Sequence, residues 1–234
     1  MRTTLALTFI LATTALQAAD LELKSLGAAA EGQAAKRKFG PYVGVGLGES
    51  MGQDGSVKFG GKDYSLNSAD GAAIFSLEVG KSWRMKRFPI MTSLEVEGTF
   101  MSSNISGTQQ GNSAAFYEAD MNSLFFNLNG TFALDLWRYR ARIGKFAAGF
   151  RPYIGGGLGG GQVWFRNART NVAGEAPFTI DEFVNSWNWY AGLEWSWKDQ
   201  YSVFAEYRDM HMGDLDDLTG YATDGYVLGF RYRY

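Results

Sequence analysis

Tyr226-Val227-Leu228-Gly229-Phe230-Arg231-Tyr232-Arg233-Tyr234 sets Leu228, Phe230, Tyr232 and Tyr234 on one face of an extended chain and Val227, Gly229, Arg231 and Arg233 on the other. A period of two is the strand repeat. Seven earlier segments share it. Tyr42 to Gly48 alternates Val43, Val45 and Leu47 with Tyr42 and glycines; Phe75, Leu77 and Val79 oppose Ser76, Glu78 and Gly80; Leu94, Val96 and Phe100 oppose Glu95, Glu97 and Thr99. Leu124, Phe126, Leu128, Phe132 and Leu134 oppose Asn127, Asn129, Thr131 and Asp135. Tyr153 to Phe165 is glycine-rich and loses its phase near Gln162-Val163-Trp164, where a bulge is expected. Trp187, Trp189, Leu193, Trp195 and Trp197 then oppose Asn188, Tyr190, Glu194 and Ser196, and Val203, Ala205 and Tyr207 oppose Phe204, Glu206 and Arg208.

The chemistry of the two faces decides the environment. In a soluble sandwich the polar face meets bulk water and commonly carries Lys and Glu, while packing volume limits the aromatics of the core. Here the polar face is small and sparse, suited to a narrow lumen. The apolar face ends in rings: Trp83, Phe100, Trp187, Trp189, Trp195, Trp197, Tyr201, Tyr232 and Tyr234, a pattern of two interfacial girdles. Eight segments, an even number, predict an all-β, eight-stranded antiparallel up-and-down transmembrane β-barrel, with a soluble lipocalin-like barrel as the competing reading.

Composition agrees with a spanning barrel and removes other classes. No apolar run long enough for a spanning helix lies beyond the N-terminus, a test that barrels escape because their strands alternate. The absence of Cys excludes disulfides and thiolate metal sites, and a net charge of -2 gives no electrostatic footprint for nucleic acid.

The N-terminus reads as an address. Met1-Arg2 supplies a positive start, Leu5 to Ala15 an apolar stretch and Leu16-Gln17-Ala18-Ala19 a small-residue cleavage site, so residues 1–19 are expected to be a signal peptide. Residues 20–38 read as a short periplasmic tail and 39–234 as the barrel. Orientation follows from the links. Those at Arg84 to Pro89 and Lys198 to Gln200 are short, as periplasmic turns are; Glu49 to Gly71, Ser102 to Glu118, Arg166 to Phe183 and Asp209 to Thr223 are long and polar, as exterior loops are. Pro41, Pro89 and Pro152 precede strands that start at the periplasmic rim, where a missing N–H is harmless. Leu136 to Arg151 is longer than this pattern accommodates.

Pro41-Tyr42-Val43-Gly44-Val45-Gly46-Leu47-Gly48 recurs as Pro152-Tyr153-Ile154-Gly155-Gly156-Gly157-Leu158-Gly159, so the chain reads as two copies of a four-strand unit, with Leu77-Glu78 and Leu193-Glu194 as matching second-strand positions. With the signal sequence, the opening strand, Val203 to Arg208 and the terminal strand, the chain resembles the small outer-membrane barrels of the opacity-protein and outer-membrane-protein-A type, often called porin-like. The resemblance covers essentially the whole mature chain. It implies residence in the bacterial outer membrane among lipid and lipopolysaccharide, and a C-terminal signal read by the barrel-assembly machinery, carried here by Phe230, Tyr232 and Tyr234. Family members usually end in Phe; Tyr234 departs from that. It implies no cell-wall anchor, since no peptidoglycan-binding domain follows the barrel.

Glu78, Glu95, Glu194 and Glu206 count to similar depth in the lumen, with Glu97 on the same face, and Arg208, Arg231 and Arg233 enter from neighbouring strands. Charges there are expected to pair, because isolated burial is expensive. The network reads as a structural plug, and alternatively as a polar gate for water or small ions. The expected role is structural or surface-interaction, with exposed loops contacting the exterior; the alternative is a narrow channel for ions or small solutes. A lipid-modifying rim enzyme is a remote third reading: His211 lies near the outer rim but lacks a serine two residues on, and Ser202 lies near the opposite rim. No enzyme activity and no cofactor are expected. Gly155 to Gly161 contains G-x-G-x-x-G without a following helix, a chance match. Asp214, Asp216 and Asp217 read as a solvated acidic loop, with Ca²⁺ binding as the alternative. A monomer is favoured.

Overall fold

The computed structural model describes residues 40–59, 62–66, 71–85, 88–109, 111–171, 180–197, 200–213 and 218–234. The expected signal peptide and tail, and the Asp214, Asp216 and Asp217 triplet, lie outside them.

The described residues form nine strands: β1 (Pro41–Phe59), β2 (Lys62–Leu66), β3 (Ala73–Arg84), β4 (Ile90–Gln109), β5 (Asn112–Leu134), β6 (Phe150–Thr170), β7 (Ile180–Trp197), β8 (Tyr201–Met212) and β9 (Leu218–Arg233). Each pairs antiparallel with its neighbours. Pairing of β1 with β9 closes β1 and β3 to β9 into a ring of eight, which leaves no open edge. β2 stands outside the ring count, bridging the outer ends of β1 and β4.

Side-chain exposure follows the alternation. Leu128 and Leu158 are 54% and 73% exposed on the outer wall, whereas Glu97 on the inner face is fully buried. On β5 the outward apolar run extends from Leu134 to Leu124, about the 9–11 residues that cross a bilayer. Beyond it Asn122, Asp120 and Glu118 take over the same face, marking the outer edge of the lipid band. The short connections and both strand termini of the ring lie at the opposite, periplasmic end.

Three readings are corrected. β6 keeps its phase through Gln162, Val163 and Trp164, with unbroken register to both neighbours; its irregularity lies further out, near Asn167, which has φ of 55°. Val163 and Phe165 upset the pattern because the lumen itself turns apolar there, and both are fully buried in it. Most of the residues read as exterior loops are strand instead: β4 and β5 run on until only residues 110 and 111 separate them, and β1 runs to Phe59. Outside the lipid, these arms are sustained by backbone pairing. Leu77-Glu78 and Leu193-Glu194 do not match in register, since Glu78 lies opposite Gly44 of β1 while Glu194 lies opposite Arg151 of β6.

The long link between β5 and β6 holds a 3-10 turn (Leu136–Tyr139) and a helix, α1 (Arg140–Ala147). α1 is broken at Gly144, whose φ of 83° is open to glycine and strained for other residues. Its start is pinned by Asp135, which forms a 2.5 Å ion pair with Arg84 and donates its N–H to the Pro89 carbonyl. At its end, Gly149 donates to the Phe146 carbonyl and accepts from Ser196 of β7.

Candidate functional site

The lumen is where chemistry-bearing side chains converge, and glycine makes room for them. A Cβ on Gly44 would stand 2.0 Å from a carboxylate oxygen of Glu78, and one on Gly155 would stand 2.4 Å from the Tyr190 ring. The Gly faces of β1 and β6 are therefore recesses into which side chains of β3 and β7 fold.

All eight charged residues singled out in the sequence point inward and are buried: Glu78, Glu95, Glu97, Glu194, Glu206, Arg208, Arg231 and Arg233. They occupy two levels joined by Arg231. At the periplasmic level, Glu194 accepts from Arg233 at 2.7 and 2.8 Å, from Arg151 at 2.8 Å and from Arg231 at 3.2 Å. Arg233 also donates to Ser202 at 3.0 Å. At the deeper level, Arg231 forks onto Glu78, with a 2.9 Å bond from Nη2 and a second from Nε, while its guanidinium lies 4.2 Å over the Phe204 ring. Arg208 bridges Glu97 and Glu206. Glu194 thus stands nearer the mouth than Glu78, Glu95 and Glu206, not at one depth with them.

Glu95 differs from the rest. Its hydrogen-bond donors are neutral: the hydroxyls of Tyr42 and, at 3.0 Å, Tyr190, with the Asn129 amide at 3.4 Å. Tyr153 serves Glu206 in the same manner at 2.9 Å. The bonds from Tyr42 to Glu95 and from Tyr153 to Glu206 each span 53 residues, and they superpose the sequence repeat: Tyr42 and Tyr153 head the two copies. The offset between copies, 111 residues, is also the separation of Glu97 and Arg208, so the two copies pair through equivalent positions that carry opposite charge.

Arg151, Tyr42, Tyr153, Tyr190 and Asn129 were not singled out by sequence reasoning. Arg151 fell at the end of a link rather than in a strand; the recurrence of Tyr one residue after Pro41 and Pro152 was the signal that would have found the tyrosines.

Outward of this polar tier the lumen is filled mainly by apolar side chains, with Ser103, Ser123 and Thr223 among them. Phe125, Met121, Met101, Val163 and Phe165 are fully buried. Tyr64 of β2 closes the outer end over Tyr117, the rings meeting edge to face at 5.5 Å. Near the periplasmic mouth a cavity of about 10 Å³ remains between Tyr42, Thr131, Tyr153 and Arg231, room for at most a single water.

On the outer wall the aromatic residues lie at two levels. Trp195 contacts Trp197, which contacts Tyr201, which contacts Tyr232, at centroid distances of 5.4, 6.1 and 5.3 Å, near the periplasmic end; Trp83 is the last residue but one of β3, at the same end. Trp187 and Trp189 lie toward the outer end. Trp187 stacks on His211 at 3.7 Å, and Trp189 donates to Asp209 at 2.7 Å. His211 Nε2 is 3.1 Å from Asp209, so its neighbours are an indole and a carboxylate. Phe230 faces outward, and Tyr234 follows the last strand residue, Arg233.

No curated protein sequence matches this chain. Among solved structures, Neisserial surface protein A is 11% identical, with 83% of this chain and 97% of that one covered and a TM-score of 0.47. Ail, the attachment invasion locus protein of Yersinia pestis, is 17% identical over 84% of this chain and 100% of its own, TM-score 0.41. The outer membrane protein OprG from Pseudomonas aeruginosa is 14% identical over 85% and 97%, TM-score 0.43. A family described as the outer membrane protein beta-barrel domain matches residues 21–234. By that match, and with a closed ring of strands whose apolar face is turned outward, the chain belongs to the outer membrane protein beta-barrel family and resides in the bacterial outer membrane.

Proposed function

We propose that this protein is a closed barrel with a structural or surface-interaction role, whose strand arms carry contact residues to the cell exterior, and that it is neither a solute channel nor an enzyme. The observation that carries this reading is the double occlusion of the lumen. Ion pairs cross it from β3 to β9, from β4 to β8 and from β9 to β7, and a layer of fully buried Phe, Met and Val side chains lies outward of them. A solute would have to break buried charge pairs and then cross an apolar plug. Either step is expensive. In this reading the eight lumen charges are structural braces, Trp83, Trp187, Trp189, Trp195, Trp197, Tyr232 and Tyr234 hold the barrel at the two interfaces, and Phe230, Tyr232 and Tyr234 form the signal for the assembly machinery, after export directed by residues 1–19. The arms reach beyond the lipid by roughly the length that spans it, since β5 has 23 residues where about 9–11 suffice.

Planar-bilayer recording of the refolded protein tests the closed state. Steady current steps from the unmodified protein would overturn it in favour of a narrow channel; silence, together with loss of adhesion or ligand capture by cells expressing a chain cut back at the β4–β5 tip, supports surface contact.

A further inference from the structure

The connection between β5 and β6 carries Arg138, Arg140, Arg142 and Lys145 and, from Leu136 to Ala147, no carboxylate. Asp135, just before it, is buried and taken by Arg84. Arg142 and Lys145 are exposed, and so are large apolar neighbours: Tyr139, Ile143 and Phe146, the last at 69%. The position of Phe146 tells which surface this is. Its ring lies 5.5 Å from Phe150 and 5.6 Å from Trp195, the start of the aromatic chain that runs through Trp197 to Tyr232 on the outer wall. α1 therefore projects onto the lipid side of the barrel, at the depth where the wall meets the periplasmic headgroups, rather than under the mouth.

Eight residues are too few to hold a helix by themselves in water. Here the hydrogen bonds of Gly149 to Phe146 and Ser196 tie its end to β7. Exposed rings mixed with cations, in a stretch of sequence without carboxylates, are the composition of a segment that lies in a membrane interface. The periplasmic leaflet offers phosphodiester headgroups at that level, and each basic side chain near an anionic surface adds attraction.

We propose that Leu136–Ala147 is a basic foot that binds anionic phospholipid headgroups of the periplasmic leaflet, with Phe146 and Ile143 inserted among the acyl chains and Arg142 and Lys145 on the phosphates. The proposal rests on the orientation of the barrel and is independent of whether the lumen conducts. Native mass spectrometry of the folded protein in neutral detergent, titrated with phosphatidylglycerol or phosphatidylcholine, reads it directly. The unmodified protein is expected to prefer phosphatidylglycerol. The double variant Arg142→Gln/Lys145→Gln is expected to lose roughly fivefold in phosphatidylglycerol affinity per cation removed, with phosphatidylcholine binding unchanged. Arg142→Lys should retain the preference, and added salt should erase it in the unmodified protein, because exposed charges are screened. Heat-modifiable gel migration establishes that each variant is folded; because the substituted side chains are exposed, folding is expected to survive, and the salt arm needs no variant. Equal affinity for the two lipids in the unmodified protein, or an undiminished preference in the double variant, would overturn the proposal. Displacement of the lipid by soluble glycerol phosphate would also overturn it, by identifying a free-phosphate site.

Discussion

Replacing Arg208 with Met removes the bridge between two carboxylates that are both fully buried. Among the described residues, the hydrogen-bond donors left would be the Asn129 amide at 2.7 Å for Glu97 and the Tyr153 hydroxyl at 2.9 Å for Glu206. Neither donor carries charge. Removing one member of a buried ion pair typically costs about 3–5 kcal/mol, because the remaining charge stays desolvated without compensation. That corresponds to a fall in the folding constant of about a hundredfold to several thousandfold. The companion variant Glu97→Gln/Glu206→Gln/Arg208→Met removes all three charges, and should lie within about 2 kcal/mol of the unmodified protein, since neutral replacement of a whole buried cluster is often tolerated. Denaturant titration of the protein refolded into vesicles, followed by tryptophan fluorescence, gives both numbers. If Arg208→Met were within about 1 kcal/mol of the unmodified protein, or if the triple variant were no better than the single one, the lumen charges would not be braces and the reasoning would be wrong.

The repeat predicts that Tyr42→Phe and Tyr153→Phe behave alike, each losing a hydrogen bond to a carboxylate worth about 1.5–3 kcal/mol. The same titration checks this, and one neutral variant beside one severe one would count against equivalence of the two copies. Phe165→Ala should destabilise by about 3–5 kcal/mol through the cavity it leaves in the apolar tier. It should also remain silent in bilayer recordings, because the ion pairs beneath it are intact; a steady current would show that the apolar layer alone seals the lumen.

The lipid-facing half of each strand was legible because hydrocarbon demands apolar side chains at every second position and nothing inside the barrel competes with that demand. The inner half was less so. Leu128 and Leu158 could be assigned outward from their neighbours alone, whereas Val163 and Phe165 look like lipid-facing residues and are fully buried, since an interior that changes from polar to apolar along its axis obeys no single pattern. Arg151 escaped notice because Pro152 was read as preceding the strand, whereas β6 begins at Phe150. α1 left no periodicity to read: Gly144 interrupts it, and its rings and cations face a two-phase boundary rather than a core. The depth of Glu194 was misjudged by counting along each strand from its presumed periplasmic end, where the register with Arg151 decides.

Glu97 and Arg208, equivalent positions of opposite charge in the two copies, also govern what the halves can do apart. Two first halves brought together across the same axis would oppose carboxylate to carboxylate, and two second halves guanidinium to guanidinium, in an interior that tolerates neither. Only unlike halves set a guanidinium against a carboxylate at this position. Symmetric self-assembly is closed to either fragment, and a single continuous polypeptide is the arrangement in which each half always finds its complement.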